Sequence, residues 1–154
     1  MSFQVLTLLA DETNISILRT MTERPRIGMS ELARAVGMSA PAVRERVQRL
    51  EEAGVIRGVR LELDPKALGY PVAVMVRIRP MPGQLPKIIE LARLSPRVVE
   101  CHRITGEDCF ILKMHLESID ALDGALDAFL AYGQTTTSII QSSPVPPRAL
   151  PLPG

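Results

Sequence analysis

The 154-residue sequence predicts an α+β protein of two small domains, a three-helix unit with a trailing hairpin and then a β-α-β-β-α-β unit. Three observations carry this reading. Apolar residues recur at helical spacing in the first third of the chain and alternate at strand spacing from Val72 onward. Between these patterns lies "DPKALGYP", residues 64–71, whose two prolines and glycine mark a linker. After it, strand and helix signals follow the order of a ferredoxin-like split unit, four antiparallel strands with two helices on one face.

In the first domain, Ile15, Ile17, Leu18 and Met21 share one helical face, with Thr13 or Asn14 able to cap the start. A short helix follows Ser30 through Leu32, Ala33 and Val36, and Gly37 ends it with the left-handed conformation of a tight turn. Ser39 caps a third helix, Pro41 occupies its first turn without loss of a hydrogen bond, and Val43, Val47 and Leu50 line one face until Gly54. "VIRGVRLELD" then alternates Val55, Arg57 and Val59, and Leu61 and Leu63, around Gly58. That pattern suits a two-stranded hairpin, so residues 1–63 read as a winged helix-turn-helix domain.

The second domain, residues 72–143, opens with a strand over 72–79 that places Val72, Val74, Val76 and Ile78 on one face. "PMPG" breaks the chain, and Leu85, Ile88, Ile89 and Ala92 form the stripe of a helix that ends before Pro96. Strands over 98–104 and 110–116 form a hairpin across "TGED". Ser118 caps a second helix with Ile119, Leu122, Leu126, Phe129 and Leu130 on one side, and 135–141 reads as the last strand. The tail over 144–154 contains five of the thirteen prolines and is expected to be an extended arm.

Composition excludes several classes of function. Net charge is +1, with ten basic against nine acidic residues up to Lys66 and eight against eight after it, so bulk charge does not argue for nucleic acid. Aromatic residues are 3% and tryptophan is absent, which disfavours a base-stacking platform for single strands. Cys101 and Cys109 are too few for a disulfide framework and not in zinc-site spacing. No apolar run reaches the roughly 18 residues of a membrane helix, and Met1–Ala10 lacks the features of a secretory signal, so a cytoplasmic protein is expected. No Ser/His/Asp set, phosphate loop or metal spacing is visible, and neither cofactor nor metal is expected. Asp120, Asp123 and Asp127 read as a solvated acidic helix face. With Ile104 opposite Asp108, His102 faces Phe110, and His102 and His115 do not converge; the same register offsets Cys101 from Cys109.

The strongest signal is "SELARAVGMSAPAVRERVQRL", residues 30–50. A helix-turn-helix needs a small residue where two helices cross, a glycine in the turn and an apolar residue packing back, and Ala33, Gly37 and Val43 supply these at offsets of four and six. Burial of Val43, Val47 and Leu50 leaves Ser39, Ala40, Pro41, Arg44, Glu45 and Gln48 outward, with Arg46 and Arg49 at the flanks. Arginine and glutamine can read base edges in the major groove of double-stranded DNA, while flanking arginines hold phosphates. The alternative is a solvated helix held by charge pairs such as Glu45 with Arg49.

In "TGED", Gly106 allows positive φ and close approach to a ligand, and Glu107 and Asp108 could meet an ammonium group; an ordinary acidic hairpin turn has the same composition. "QTTTS" supplies Thr135, Thr136 and Thr137, which are hydroxyl donors or simply β-branched strand residues. A sheet with helices on one face only leaves the other to be covered, so a homodimer at least is expected.

"ELARAVGMSAPAVRERVQRLEEAGVIRG" with "DPKALGYP" resembles the DNA-binding half of the Lrp/AsnC (feast/famine) family of transcriptional regulators. "VVECHRITGEDCFILK" and "GQTTTSIIQSSP" resemble its ligand-responsive half, the RAM domain, so that the similarity covers residues 9–143. The family's L-D-x-x-D start is altered to "LADETN", with Asn14 for the second acid, which changes a cap. The resemblance implies a sequence-specific DNA-binding regulator and an amino-acid effector pocket between subunits. That pocket would receive Thr105, Gly106, Glu107, Asp108 and Cys109 from the hairpin and Thr135, Thr136 and Thr137 from the last strand. The resemblance also implies dimers assembling into octamers as a tetramer of dimers. The rival reading is enzymatic, since some proteins resembling this family decarboxylate sirohaem; it would need basic or histidine residues in a tetrapyrrole cleft, and the intact recognition helix weighs against it.

Overall fold

A computed structural model describes residues 3–153. Its helical part contains α1 (Phe3–Leu9), α2 (Glu12–Glu23), α3 (Met29–Ala35) and α4 (Ala40–Glu52). Helix α1 is absent from the sequence expectation, because its seven residues carry neither a cap signal nor a buried position. Helix α2 is capped by Asp11 rather than Thr13 or Asn14: the Asp11 carboxylate accepts from the Thr13 and Asn14 amides at 2.8 and 3.2 Å. Helix α3 starts after Gly28, before the expected Ser30, and without a side-chain cap.

Both glycines that end helices act as expected. Gly37 has φ of +68°, its amide bonds to the Arg34 carbonyl and the next amide, Met38, bonds to Ala33. Gly54 (φ +72°) repeats the arrangement with Glu51 and Leu50 as acceptors. These paired bonds satisfy carbonyls that a helix end otherwise leaves open. Between α3 and α4 the turn brings Leu32 and Ala33 against Val43, Val47 and Leu50, and Ile17 and Leu18 of α2 complete the core.

The expected hairpin over 55–63 does not form. The amides of Val55 and Ile56 both bond to the Leu50 carbonyl and their side chains pack on the helical core, so the first arm of the hairpin is taken up by the end of α4. Residues 57–63 carry no strand, and Val59, Leu61 and Leu63 are 64%, 82% and 58% exposed.

The sheet part runs β1 (Val72–Pro80), α5 (Leu85–Leu94), β2 (Val98–Arg103), β3 (Phe110–Leu116), α6 (Ala121–Leu130) and β4 (Gly133–Ile139). Spatial order is β2-β3-β1-β4 with every neighbour antiparallel, the ferredoxin-like arrangement. On one face Val74, Val76 and Ile78 pair with Met114, Leu112 and Phe110, and Ile88, Ala92, Leu126 and Phe129 from the helices close the core over them. Strand β3 shows the cause in its burial, strictly alternating with Phe110, Leu112, Met114 and Leu116 inward. The opposite face is mixed rather than apolar: Ala73, Met75 and Ile111 stand among Arg77, Lys113 and Thr136.

Three local expectations shift. Helix α6 begins after Asp120 instead of at Ser118, and β4 begins two residues early at Gly133. A Cβ at Gly133 would lie 2.7 Å from the Arg79 carbonyl oxygen, so the start of β4 approaches β1 too closely for any side chain. In the β2–β3 hairpin, the Ile104 amide bonds to Cys109 rather than facing Asp108, and His102 pairs with Ile111 instead of Phe110. The loop thus holds four residues, one more than expected, and the one-residue slip turns His102 to the other face. Cys101 pairs with Leu112, and both cysteines are free thiols.

The chain divides at Leu61/Glu62 and again at Pro144/Val145. The linker therefore belongs to the sheet unit, while the tail from Val145 joins the helical unit instead of standing free.

Candidate functional site

Helix α4 is held by a stripe in which Val43 and Leu50 are fully buried and Val47 nearly so. That stripe determines the outward face. Ser39, Pro41, Arg44, Glu45, Gln48 and Arg49 are exposed, and Ala40 is half-buried. Ser39 caps the helix through its hydroxyl, which accepts from the Ala42 amide. Arg49 pairs with Glu45 and Gln48 bonds to Glu52, both one turn apart on the helix surface. Arg44 makes no ion pair within 4 Å among the described residues, leaving a free guanidinium on the outward face.

Arg46 is placed differently from the flanking phosphate contact expected of it. At roughly 100° per residue it sits close to the buried stripe, so its side chain runs back toward α2. Its Nη1 donates to the Asp11 carboxylate at 2.6 Å and to Asn14 Oδ1 at 2.9 Å. Asn14 is buried, and its Nδ2 donates to the Leu8 carbonyl at 3.0 Å. An aspartate there could accept from Arg46 but could not donate to Leu8, so the asparagine joins α1, α2 and α4 in one network. The Arg46 guanidinium, with the Asn14 and Thr13 amides, holds the Asp11 carboxyl below its ordinary value, against a smaller opposing effect of burial.

In the sheet unit, the expected effector residues do not all converge. Gly106 has φ of +108°, as the close-approach reading requires, and Thr105, Gly106 and Glu107 are exposed. Glu107 pairs with Arg79, and Asp108 lies 3.8 Å from both Arg77 and Arg79. The two acids thus already face two guanidiniums of β1, partners that sequence reasoning missed. Alternation along β1 could have put Arg77 and Arg79 on the open face, but only the β1–β3 register brings them to the hairpin loop. Cys109 packs toward the helix-covered core. Thr135 and Thr137 pair with Ile78 and Val76 on that same covered face, while Thr136 pairs with Arg77 on the open one. The open-face group is therefore Arg77, Arg79, Glu107, Asp108 and Thr136.

Two cavities of this unit lie elsewhere. One of about 410 Å³ lies between α5 and β2, lined by Ile89, Arg93, Cys101 and Arg103 among others. Another of about 310 Å³ is bounded by the linker residues Leu63, Pro65, Leu68 and Tyr70 and by Arg97 and His115. His115 Nδ1 is buried without a partner among the described residues. Neither cavity is lined by residues 105–109 or 135–137. No three His, Cys, Asp or Glu side chains among the described residues group as metal ligands, and no helix is long and apolar enough to cross a membrane.

Residues 11–57 match the family model of winged helix-turn-helix DNA-binding domains, and residues 73–150 match that of the Lrp/AsnC ligand-binding domain. The chain is 33% identical over 132 residues to the HTH-type transcriptional regulator LrpC of Bacillus subtilis, covering 86% of this chain and 92% of that protein. It belongs to the Lrp/AsnC family. Among Lrp/AsnC proteins it also resembles the regulatory protein AsnC of Escherichia coli K12, at 32% identity over 77% of this chain and 78% of AsnC. Its fold matches that of a Neisseria meningitidis transcriptional regulator, NMB0573, solved as a complex with L-Met: TM-score 0.83, 25% identity, 92% of this chain and 96% of that one. As an Lrp/AsnC member the chain is a DNA-binding transcriptional regulator with a ligand-binding domain.

Proposed function

We propose that the protein is a sequence-specific regulator that reads the major groove of double-stranded DNA with α4 and answers to a small molecule, an amino acid. The observation that carries the DNA reading is the buried Val43/Val47/Leu50 stripe, which leaves Arg44 unpaired on the outward face beside Glu45 and Gln48. Ser39, Ala40 and Pro41 bring the helix start to the backbone, Arg44 and Gln48 read base edges, and Arg49 exchanges Glu45 for a phosphate. Arg46 positions the helix through Asp11 and Asn14.

The effector reading rests on the charged end of the open sheet face. An amino acid carries one carboxylate and one ammonium group. Arg77 and Arg79 suit the first, Glu107 and Asp108 the second, and Thr136 adds a hydroxyl. A free amino acid binds by replacing the internal pairs between those arginines and acids. These side chains line neither of the two cavities described above, and another subunit completes the pocket, which fits a homodimer or an octamer built as a tetramer of dimers. The exposed Val59, Leu61 and Leu63 give such an assembly apolar surface to cover. No catalytic role is assigned, and the reading puts the protein in the cytoplasm with its DNA.

Selection from a random duplex pool tests the DNA reading: the expected product is an imperfect palindrome or phased repeat, and no enrichment would overturn it. Calorimetry against the amino acids tests the effector; binding of none of them removes it. Visible absorption of a bound tetrapyrrole would favour the sirohaem-decarboxylase-like alternative.

A further inference from the structure

The proline-rich tail is mostly exposed, but its last residues return to the helical unit and border an apolar groove. The groove is formed by Leu18 and Met21 of α2, Pro25 just beyond that helix, and Val55 and Ile56 after α4. Ala149, Leu150, Leu152 and Pro153 form its other wall, around a cavity of about 510 Å³. Leu152 is half-buried and packs against the cluster that contains Ile17, Leu18, Val43 and Leu50. Leu150, two residues earlier, borders the same groove but is 87% exposed, whereas Val145, 64% exposed, lies outside the groove lining.

We propose that residues 149–153 are a strap for the DNA-binding unit of the same chain, with Leu152 as the anchor in the groove between α2 and the segment after α4. The tail's composition suits this occupant. Five prolines from Pro144 to Pro153 restrict the unbound chain, so little conformational freedom is lost on docking. The extended segment also needs no internal backbone hydrogen bonds to lie along an apolar surface, the mode by which proline-rich segments are recognised elsewhere. Only one half-buried leucine anchors it, so docking is reversible. The topology gives the strap a use. The DNA-binding unit contains both ends of the described chain, and the ligand-binding unit is an insertion joined to it at Leu61/Glu62 and at Pro144/Val145. A strained or displaced ligand-binding unit can therefore act on α2 through the tail as well as through the linker. Since α2 holds α4 through Asp11, Asn14 and Arg46, the strap reaches the recognition helix without touching DNA.

Hydrogen exchange on the full chain tests this, comparing wild type with Leu152→Asp and with Val145→Asp, an exposed apolar tail residue outside the groove, as the control. Leu152→Asp should speed amide exchange across residues 18–25 and 55–60 at least threefold, with Val145→Asp close to wild type. Equal exchange in all three proteins, or an equal increase in both variants, would overturn the strap. A photo-crosslinking side chain at position 150 identifies the chain that supplies the tail. Crosslinks to residues 18–25 or 55–60 within one chain are expected. Crosslinks to a second copy, or only to residues 62–144, would overturn the assignment.

Discussion

In the helical unit, burial of Val43, Val47 and Leu50 decides which way every other side chain of α4 points. In the sheet unit, the three consecutive threonines of β4 fall on alternating faces, and only Thr136 shares its face with the arginines beside the hairpin loop. The proposed DNA-reading face lies on one helix of one chain. The proposed effector face is assembled from β1, β4 and the β2–β3 loop, and two cavities of that unit are lined by other residues. A site on one helix needs only the phase of the helix, whereas a site across strands needs every pairing register to be right.

The strongest way to break this comparison is Gly106→Val. A β-branched side chain is strained at φ of +108°, so the loop must rearrange and carry Glu107 and Asp108 away from Arg79 and Arg77. Calorimetric response to the effector should be lost while DNA affinity stays at wild-type level; a parallel loss of both would mean that the two surfaces are not separable. Next in size is Arg44→Ala, expected to weaken specific binding by about 1–3 kcal/mol and relax base preference at one position. An unchanged footprint would show that the outward face is not the reading face.

Arg46→Met should act on stability rather than on base preference. It leaves Asn14 Oδ1 buried without its donor and should lower the stability of the DNA-binding unit by about 1–2 kcal/mol, read by hydrogen exchange of α2 and α4. The same pair predicts a pH dependence. Because the Asp11 pKa is lowered in the folded state, its contribution is complete above the ordinary carboxylate value and is lost as pH falls through the lowered one. Wild type should therefore lose more stability than Arg46→Met below about pH 4.

The two smallest effects sharpen the comparison position by position. Arg49→Ala should weaken all DNA sequences alike and reduce the salt slope by about one, since Arg49 is assigned to a phosphate. A sequence-selective loss would rotate the reading face toward it. Thr136→Val should weaken the effector, whereas Thr137→Val, on the helix-covered face, should not; equal effects would mean that β4 alternation does not decide the site.

How far the sequence could be read follows from the range of the forces involved. Helices α2 to α4, the glycines that end two of them, the β-α-β-β-α-β order and the outward face of α4 are set by the spacing of apolar residues and by turn chemistry within a few residues. These were legible from the sequence. Tertiary structure alone decided the features that depend on distant partners. Val55 and Ile56 close α4 instead of starting a hairpin because the Leu50 carbonyl and the helical core take them first. Arg46 is drawn to Asp11, thirty-five residues away in sequence, because the helices cross there. The four-residue loop before Cys109 and the pairing of Arg77 with Thr136 were set by strand register, and the tail's return to the helical unit by a groove formed only after α2 and α4 pack. Local spacing determines the form of an element and its buried face; what that element meets is decided when hydrogen bonds and apolar surface from remote segments compete for it.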